Sequence, residues 1–209
     1  MNFKSKLYLI RHAESLANTR GIYQGQTYDT GLSPLGRLQA QALASRFAGE
    51  KFDHVFASPL KRTNQTAAFF SDSCNVDPEL LETNHGAWEG LHKSEVAIRW
   101  SDLYIRWQTA PADVVFPGGE AYQDTAARAV NWFNRIAKMS GTVAAVTHIN
   151  IIQAIIAHIL GLDPNSIQNY PIQPTGVTLI ESRSPARIVY LNDFSHLKAL
   201  KSDLTVHAL

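Results

Sequence analysis

The sequence predicts an α/β three-layer sandwich, with a mostly parallel central sheet and an antiparallel strand at its edge. Three observations carry this. Short apolar runs alternate with helix-period segments along the 209-residue chain, the pattern of strands and helices that cover both faces of one sheet. Two of those runs, LYLI at residues 7–10 and TVAAVT at 142–147, stop at Arg11-His12 and at His148. Interior strands that deliver reactive groups to the rim of a sheet read this way. Towards the end of the chain, residues 177–181 and 187–191 flank Ser182-Arg183-Ser184-Pro185, a hairpin that adds the antiparallel edge.

The elements follow in order. Residues 7–10 form the first strand, and residues 19–30, rich in Gly, Gln, Tyr and Asp, form a surface loop. Ser33 caps a helix that has Pro34 at its first position, where a missing N–H costs nothing. Leu35, Leu38, Ala42 and Phe47 recur at helical spacing and define its expected buried face. Residues 52–57 are a second strand. Ser58-Pro59 repeats the cap-plus-proline start, which puts Arg62 in the first turn of the next helix. There, free N–H groups and the helix dipole favour an anion. Residues 71–75 break that helix, and 76–82 run extended, because Pro78 excludes a helix interior.

Residues 86–90, GAWEG, form a turn with an aromatic plug. Residues 94–109 carry Trp100, Leu103, Tyr104 and Trp107 at roughly helical spacing, giving one or two short helices. After a loop at 111–120 comes a strongly periodic helix with Tyr122, Ala126, Ala129, Val130, Phe133 and Ile136 on one face. Residues 142–147 are the clearest buried strand. Residues 151–160 are a buried helix closed by Gly161 in a left-handed C-cap.

Composition excludes several classes of function. With 45% apolar residues the chain can bury one sizeable core, and a single domain over 1–209 is favoured. Nineteen Lys and Arg against eighteen Asp and Glu, with no basic run, argue against nucleic acid as a partner. The one cysteine, Cys74, cannot form an internal disulfide and reads as a small apolar filler. The apolar stretch before Arg11 is too short for a signal-peptide core, and residues 149–162 are interrupted by Asn150, Gln153 and His158. The expectation is a soluble, cytoplasmic protein with no membrane partner.

Four places along the chain supply parts of one chemistry: LYLIRHAESLAN at 7–18, SPLKRTNQTA at 58–67, LETNHGAWEG at 81–90 and VTHIN at 146–150. Together they resemble the histidine phosphatase superfamily, also called the phosphoglycerate mutase-like family, from residue 7 to about 197. The resemblance implies a phosphoglycerate mutase-like sandwich with a short helical insertion, here about 91–120, lying over the active site. Trp100, Tyr104 and Trp107 then either shape the substrate pocket or hold the insert to the body.

The chemistry is that of moving a phosphoryl group with no cofactor and no metal. A monoester brings about two negative charges, and an arginine fork binds two of its oxygens without ever losing its proton. Arg11 and Arg62 suit that clamp. A neutral imidazole then attacks phosphorus, a role assigned to His12, with a backbone acceptor holding its Nδ1 proton and Nε2 left free. The resemblance implies Glu82 as the general acid for the departing alcohol, Asn18 as a phosphate ligand and His148 as a second imidazole that, when protonated, donates to a phosphate oxygen. Glu14 and Glu89 are competing carboxylates, read as structural. His85 and His92 receive no role.

Relatives commonly follow the second histidine with two glycines, whereas this chain has Ile149-Asn150, which predicts altered substrate fit rather than lost activity. A weaker departure is Ala121, where a serine would cap the next helix.

The expected activity is hydrolysis of a small phosphorylated metabolite through phospho-His12. The alternatives are a cofactor-dependent phosphoglycerate mutase and a binding module for phosphorylated ligands without turnover. A short insert and a brief tail, residues 197–209, favour hydrolysis over mutase action. A metal hydrolase ranks behind these, since the eight histidines form no close ligand pair. Edge strands leave a homodimer open.

Overall fold

The structure is a computed structural model that describes residues 5–208; residues 1–4, part of the N-terminal stretch read above, and residue 209 lie outside it. Six strands form one sheet: β1 (Ser5–Arg11), β2 (His54–Ala57), β3 (Asn75–Val76), β4 (Gly141–Thr147), β5 (Val177–Ser182) and β6 (Arg187–Asp193). They lie side by side in the order β3-β2-β4-β1-β5-β6. Neighbours from β3 to β1 are parallel, and β5 is antiparallel to both β1 and β6. The mostly parallel sheet with an antiparallel edge is therefore the one the sequence predicts.

Side-chain alternation along β1 divides the core into two layers. Leu7 and Leu9 pack with Trp132 and Ile136 of α5 (Tyr122–Ile136) and with Ile151 and Ile155 of α6 (Ile149–Leu160). Tyr8 and Ile10 face the other way, onto Leu43 and Phe47 at the end of α1 (Pro34–Arg46) and onto Ala67 of α2 (Lys61–Ala67). Both faces of β1 are thus dry, which is why its sequence runs apolar instead of alternating.

Register places the reactive residues. Arg11 pairs with Thr147 across β1 and β4, and Ala57 pairs with Val146 across β2 and β4. His12, His148 and Ser58 therefore leave three adjacent strands at one level of the rim. Backbone bonds hold that level: His12 N–H donates to the Thr147 carbonyl at 2.9 Å, and Ser58 N–H donates to the Val146 carbonyl at 3.1 Å.

Several local expectations are corrected. The buried face of α1 is Gly36, Gln39, Ala40 and Leu43 rather than Leu35, Leu38 and Ala42; Leu38 is half exposed, while Phe47 is buried as expected. The physical reason lies in the loop after β1. A Cβ on Gly36 would stand 2.0 Å from the Glu14 carbonyl oxygen, and the Gln39 side chain accepts from the Glu14 N–H at 2.9 Å. A helix face that docks on backbone uses a glycine and an amide, which apolar periodicity does not count. Ser33 does cap α1, accepting from the Gly36 N–H.

Ser58 does not cap α2, which begins at Lys61 after Leu60, although Arg62 still falls in its first turn. Residues 76–82 are extended only in part: β3 ends at Val76, and Pro78–Leu80 is a 3-10 turn capped by Asp77. Helix α6 starts at Ile149, two residues earlier than expected, and closes on Gly161 at φ 63°. Ala121 leaves α5 without a side-chain cap.

The 94–109 segment is two helices, α3 (Lys93–Arg99) and α4 (Ser101–Thr109). Their aromatics resolve the open choice in favour of packing. Trp107 is buried against Phe116 and Tyr122, and Trp100 and Tyr104 sit against Trp88. Among the described residues no helix is long and apolar enough to cross a membrane.

Candidate active site

A small polar cavity of about 20 Å³ opens at the strand ends, lined by Arg11, His12, Asn18, Gln24, Gly25, Arg62, Glu82, His85, Ile149 and Ala208. A larger one of about 650 Å³ lies between α5 and α6, but apart from Asn131 and His158 its walls are apolar or carry no converging polar groups. Size does not choose between them; chemistry does. Five of the six residues singled out in the sequence line the small cavity. The sixth, His148, lies behind it, with its ring centroid 5.2 Å from that of His12.

His12 has Nδ1 2.7 Å from the Ala13 carbonyl oxygen. A carbonyl only accepts, so Nδ1 carries the proton and Nε2 is the bare nitrogen. Burial, then the Arg62 and Arg11 charges, hold this imidazole well below its usual range, so it stays neutral.

The two arginines are buried and similarly held. Arg62 donates from Nη2 to the Gly25 carbonyl at 2.9 Å and from Nη1 to Asp29 Oδ1 at 3.1 Å. Asp29 Oδ2 also accepts from the Lys61 N–H at 2.6 Å, so one carboxylate fixes both the helix start and the arginine. Arg11 donates from Nη1 to the Ile172 carbonyl, and its Nη2 lies 3.4 Å from His207 Nδ1. Both Nε–H groups are buried with no partner. Burial brings Arg11 down to about 10, so it is charged at neutral pH.

Glu82 Oε1 accepts from the Thr83 N–H at 2.9 Å. Burial raises its pKa, outweighing that hydrogen bond and the charges of Arg62, Arg128 and Arg11. The competing carboxylates are committed elsewhere. Glu89 accepts from the N–H groups of Gln26, Thr27, Tyr28 and His85, tying the 26–28 loop to the aromatic turn. Glu14 accepts from the hydroxyls of Ser33 and Ser202, both at 2.7 Å.

Asn18 and Gln24 line the cavity with their carbonyl oxygens occupied. Asn18 Oδ1 accepts from Ser15 N–H at 3.0 Å, and Gln24 Oε1 accepts from Thr30 Oγ1 at 3.1 Å. Their NH2 groups remain for an anion.

His148 is expected to donate to a phosphate oxygen when protonated. Burial, then Arg62 and His12, push it well below the usual imidazole range, so it is neutral here. Its Nε2 lies 2.9 Å from Ser58 Oγ, and its Nδ1 is buried without a partner. If Ser58 donates, Nδ1 holds the ring proton, and a neutral His148 is still a donor. Ser58 was expected as a helix cap and is instead the partner of this ring.

Sequence reasoning missed two participants. His85 lines the cavity inside an aromatic box, with Phe116, Tyr23 and Trp107 at centroid distances of 4.6, 5.4 and 6.0 Å. Neither ring nitrogen has a partner, and burial pushes the ring down to about 3. The second is the C-terminal segment: Ala208 is part of the wall, so the brevity of the tail does not keep it from the site. Ile149, expected to alter substrate fit, does border the cavity. Among the described residues no three His, Cys, Asp or Glu groups converge to hold a metal.

The family model described as histidine phosphatase superfamily (branch 1) matches residues 7–193. Phosphoserine phosphatase 1 of Hydrogenobacter thermophilus is 31% identical over 199 residues, covering 92% of this chain and 94% of that protein. A 2,3-bisphosphoglycerate-dependent phosphoglycerate mutase of Brucella melitensis is 30% identical over 187 residues, covering 83% and 90%. The crystal structure of the alpha-ribazole phosphatase from Shigella flexneri superposes with a TM-score of 0.82 at 27% identity, covering 90% of this chain and 96% of that one.

Proposed function

The chain belongs to the histidine phosphatase superfamily, branch 1, and on that premise we propose that it hydrolyses a small phosphomonoester through a phosphohistidine on His12. The observation that carries this is the Nδ1 bond from His12 to the Ala13 carbonyl, which leaves Nε2 bare on a wall shared with Arg11, Arg62 and Glu82.

In the first step, the arginine N–H groups and the Asn18 and Gln24 amides hold the phosphoryl oxygens, and His12 Nε2 forms a bond to phosphorus. The ester P–O bond breaks on the opposite side, and the departing alkoxide takes the Glu82 proton. In the second step Glu82, now a carboxylate, removes a proton from water as its oxygen attacks phosphorus. The P–N bond breaks, orthophosphate leaves, and both side chains return to their starting states. His148 donates to a phosphoryl oxygen as negative charge builds there. The charge of the monoester is met by protein cations and donors, so the reaction is expected to proceed with chelator present.

The relatives named above act on phosphoserine, alpha-ribazole phosphate or phosphoglycerate, which supports a small alcohol as the leaving group. Mutase action is the second reading, favoured by one observation: Ala208 walls the cavity, so the tail can shelter a phosphoenzyme. The test is phosphate release from p-nitrophenyl phosphate and a panel of phosphometabolites, with chelator, for the wild type and His12→Ala. Release that vanishes in the variant supports hydrolysis. Isomerisation of phosphoglycerate primed by a diphosphoglycerate, without net release, would replace it by the mutase reading. Binding of phosphorylated compounds with no turnover, unchanged in the variant, would leave a binding module.

A further inference from the structure

We infer that His207 is a positioning residue for Arg11, holding one arm of the phosphate clamp as Asp29 holds the other; this rests on the phosphate-binding reading of the site. The two arginines come from unrelated elements, one at the end of β1 and one in the first turn of α2. Each is nonetheless gripped in the same way. One terminal nitrogen donates to a backbone carbonyl, Gly25 for Arg62 and Ile172 for Arg11. The other meets a side chain from outside the sheet, Asp29 for Arg62 and His207 for Arg11. In both, Nε–H is buried and unpartnered in the wall of the cavity. A guanidinium carries five N–H donors in a rigid plane. Fixing its two outer corners therefore sets the direction of the remaining donors.

Arginine has no acceptor, so the 3.4 Å contact requires His207 Nδ1 to be the bare nitrogen and Nε2 to carry the proton. Nε2 lies 3.7 Å from Glu14 Oε2, too long for a hydrogen bond but directed at a carboxylate. The ring thus lies between a donor at the end of β1 and a carboxylate in the segment that follows it.

Its backbone is anchored independently. Lys93 Nζ donates to the carbonyls of Thr205 and His207, the Ser202 hydroxyl donates to Glu14, and Gln39 Nε2 donates to Ser202 Oγ and the Leu200 carbonyl. If His207 merely fastened the tail, these contacts would already suffice. The ring adds a bond to a guanidinium that lines the cavity, and it does so as a neutral acceptor. Asp29 meets Arg62 with a charge, and His207 meets Arg11 without one.

The experiment uses the full chain as wild type, His207→Ala, His207→Asn and His207→Gln. Orthophosphate binding is measured by calorimetry, kcat and KM with p-nitrophenyl phosphate, and melting temperature in parallel. The Ala variant is expected to weaken orthophosphate binding and raise KM about 5–20-fold, at the low end for a lost hydrogen bond to a charged group because the contact is long at 3.4 Å, with kcat changed less. Asn, whose Oδ1 stands near the place of Nδ1, is expected to restore most of that loss. Gln, which puts its oxygen near the place of Nε2, is not. Wild-type orthophosphate affinity in the Ala variant would overturn the inference. If that variant does not fold, equal behaviour of Asn and Gln would overturn it instead. Absence of turnover in the wild type would count against the phosphatase reading alone, because calorimetry reports on the clamp without turnover.

Discussion

The His12 imidazole gives its Nδ1 proton to the carbonyl of the very next residue, Ala13, across 2.7 Å. So short a loop between donor and acceptor fixes the tautomer by local geometry, before any substrate arrives. Replacing His12 by Ala or Asn is expected to lower phosphatase activity at least about 10⁴-fold, the scale seen when a covalent nucleophile is removed. The check is an alkaline denaturing quench after brief exposure to labelled substrate: the wild type retains a label, stable to base and released by acid, on a peptide containing His12, and the variants retain none.

Glu82 is expected to matter in proportion to how poorly the alcohol leaves. With an alkyl phosphate, Glu82→Gln should cost about 10²–10⁴-fold in kcat; with p-nitrophenyl phosphate, whose phenolate departs without a proton, much less. The pH profile gives a second check. Burial raises the pKa of this carboxyl, so the acid form extends to higher pH than for a free glutamate and disappears as pH rises further. The wild type should lose kcat/KM on that alkaline side, and the Gln variant should lack that limb.

Asp29 lies on a loop that the sequence marks only as polar, yet it fixes Arg62 and the first N–H of α2 together. Asp29→Asn keeps the shape and loses the charge. Its KM is expected to rise about 3–10-fold, the effect of weakening a charge-assisted bond by about 1 kcal/mol, with a smaller change in kcat. Steady-state kinetics at fixed pH would show it; an unchanged KM would mean that Gly25 alone orients the guanidinium.

His85 makes stability depend on pH. Its folded pKa, about 3, lies far below the ordinary imidazole value. The stability it contributes is complete above that ordinary value of about 6.5 and falls as pH drops towards 3, by up to about 1.4 kcal/mol per pH unit. His12 and His148 slope the same way, since both are held low. His85→Phe removes one titrating group and two buried nitrogens without partners. Chemical denaturation at pH 5 and pH 7.5 should show the variant to be the more stable at pH 5, with a flatter dependence between the two.

Gly36→Ala tests the docking of α1. Its Cβ would meet the Glu14 carbonyl oxygen at 2.0 Å, and backbone cannot yield as a side-chain tip can. A loss of about 1–3 kcal/mol is expected from overpacking, although alanine is the better helix former by about 1 kcal/mol. Denaturant midpoints would report it.

Much of this was legible in the sequence, for a physical reason. Strands buried on both faces advertise themselves by continuous apolar runs: TVAAVT ends where β4 ends, and LYLI ends one residue before the end of β1. Arg11, His12 and His148 could be placed because each follows such a run directly. The buried face of α1 was misread because Gly36 and Gln39 dock on backbone, and no hydrophobic period records that. Ser58 was misread because a serine before a proline looks the same whether it caps a helix or meets an imidazole from a neighbouring strand. His85 and His207 were invisible for a related reason: their partners, or the lack of them, come from segments remote in the chain. The isolated buried nitrogens of His85 follow from its aromatic box, and no spacing rule encodes them.

The central position of β1 bears on how the molecule is made. Ser5 pairs with Gly141 on one side and with Ser182 on the other, so one of the two central strands is synthesised first and finds its neighbours only after residue 140. Until residues 141–182 emerge, an apolar ribbon with two open edges is exposed, and closing such distant pairings is slow. The chain should therefore fold late in its synthesis and be prone to association while incomplete. A rearranged gene that opens the chain in the 137–140 turn and links the old ends would place β4 and β5 before β1. It should reach the same sheet faster.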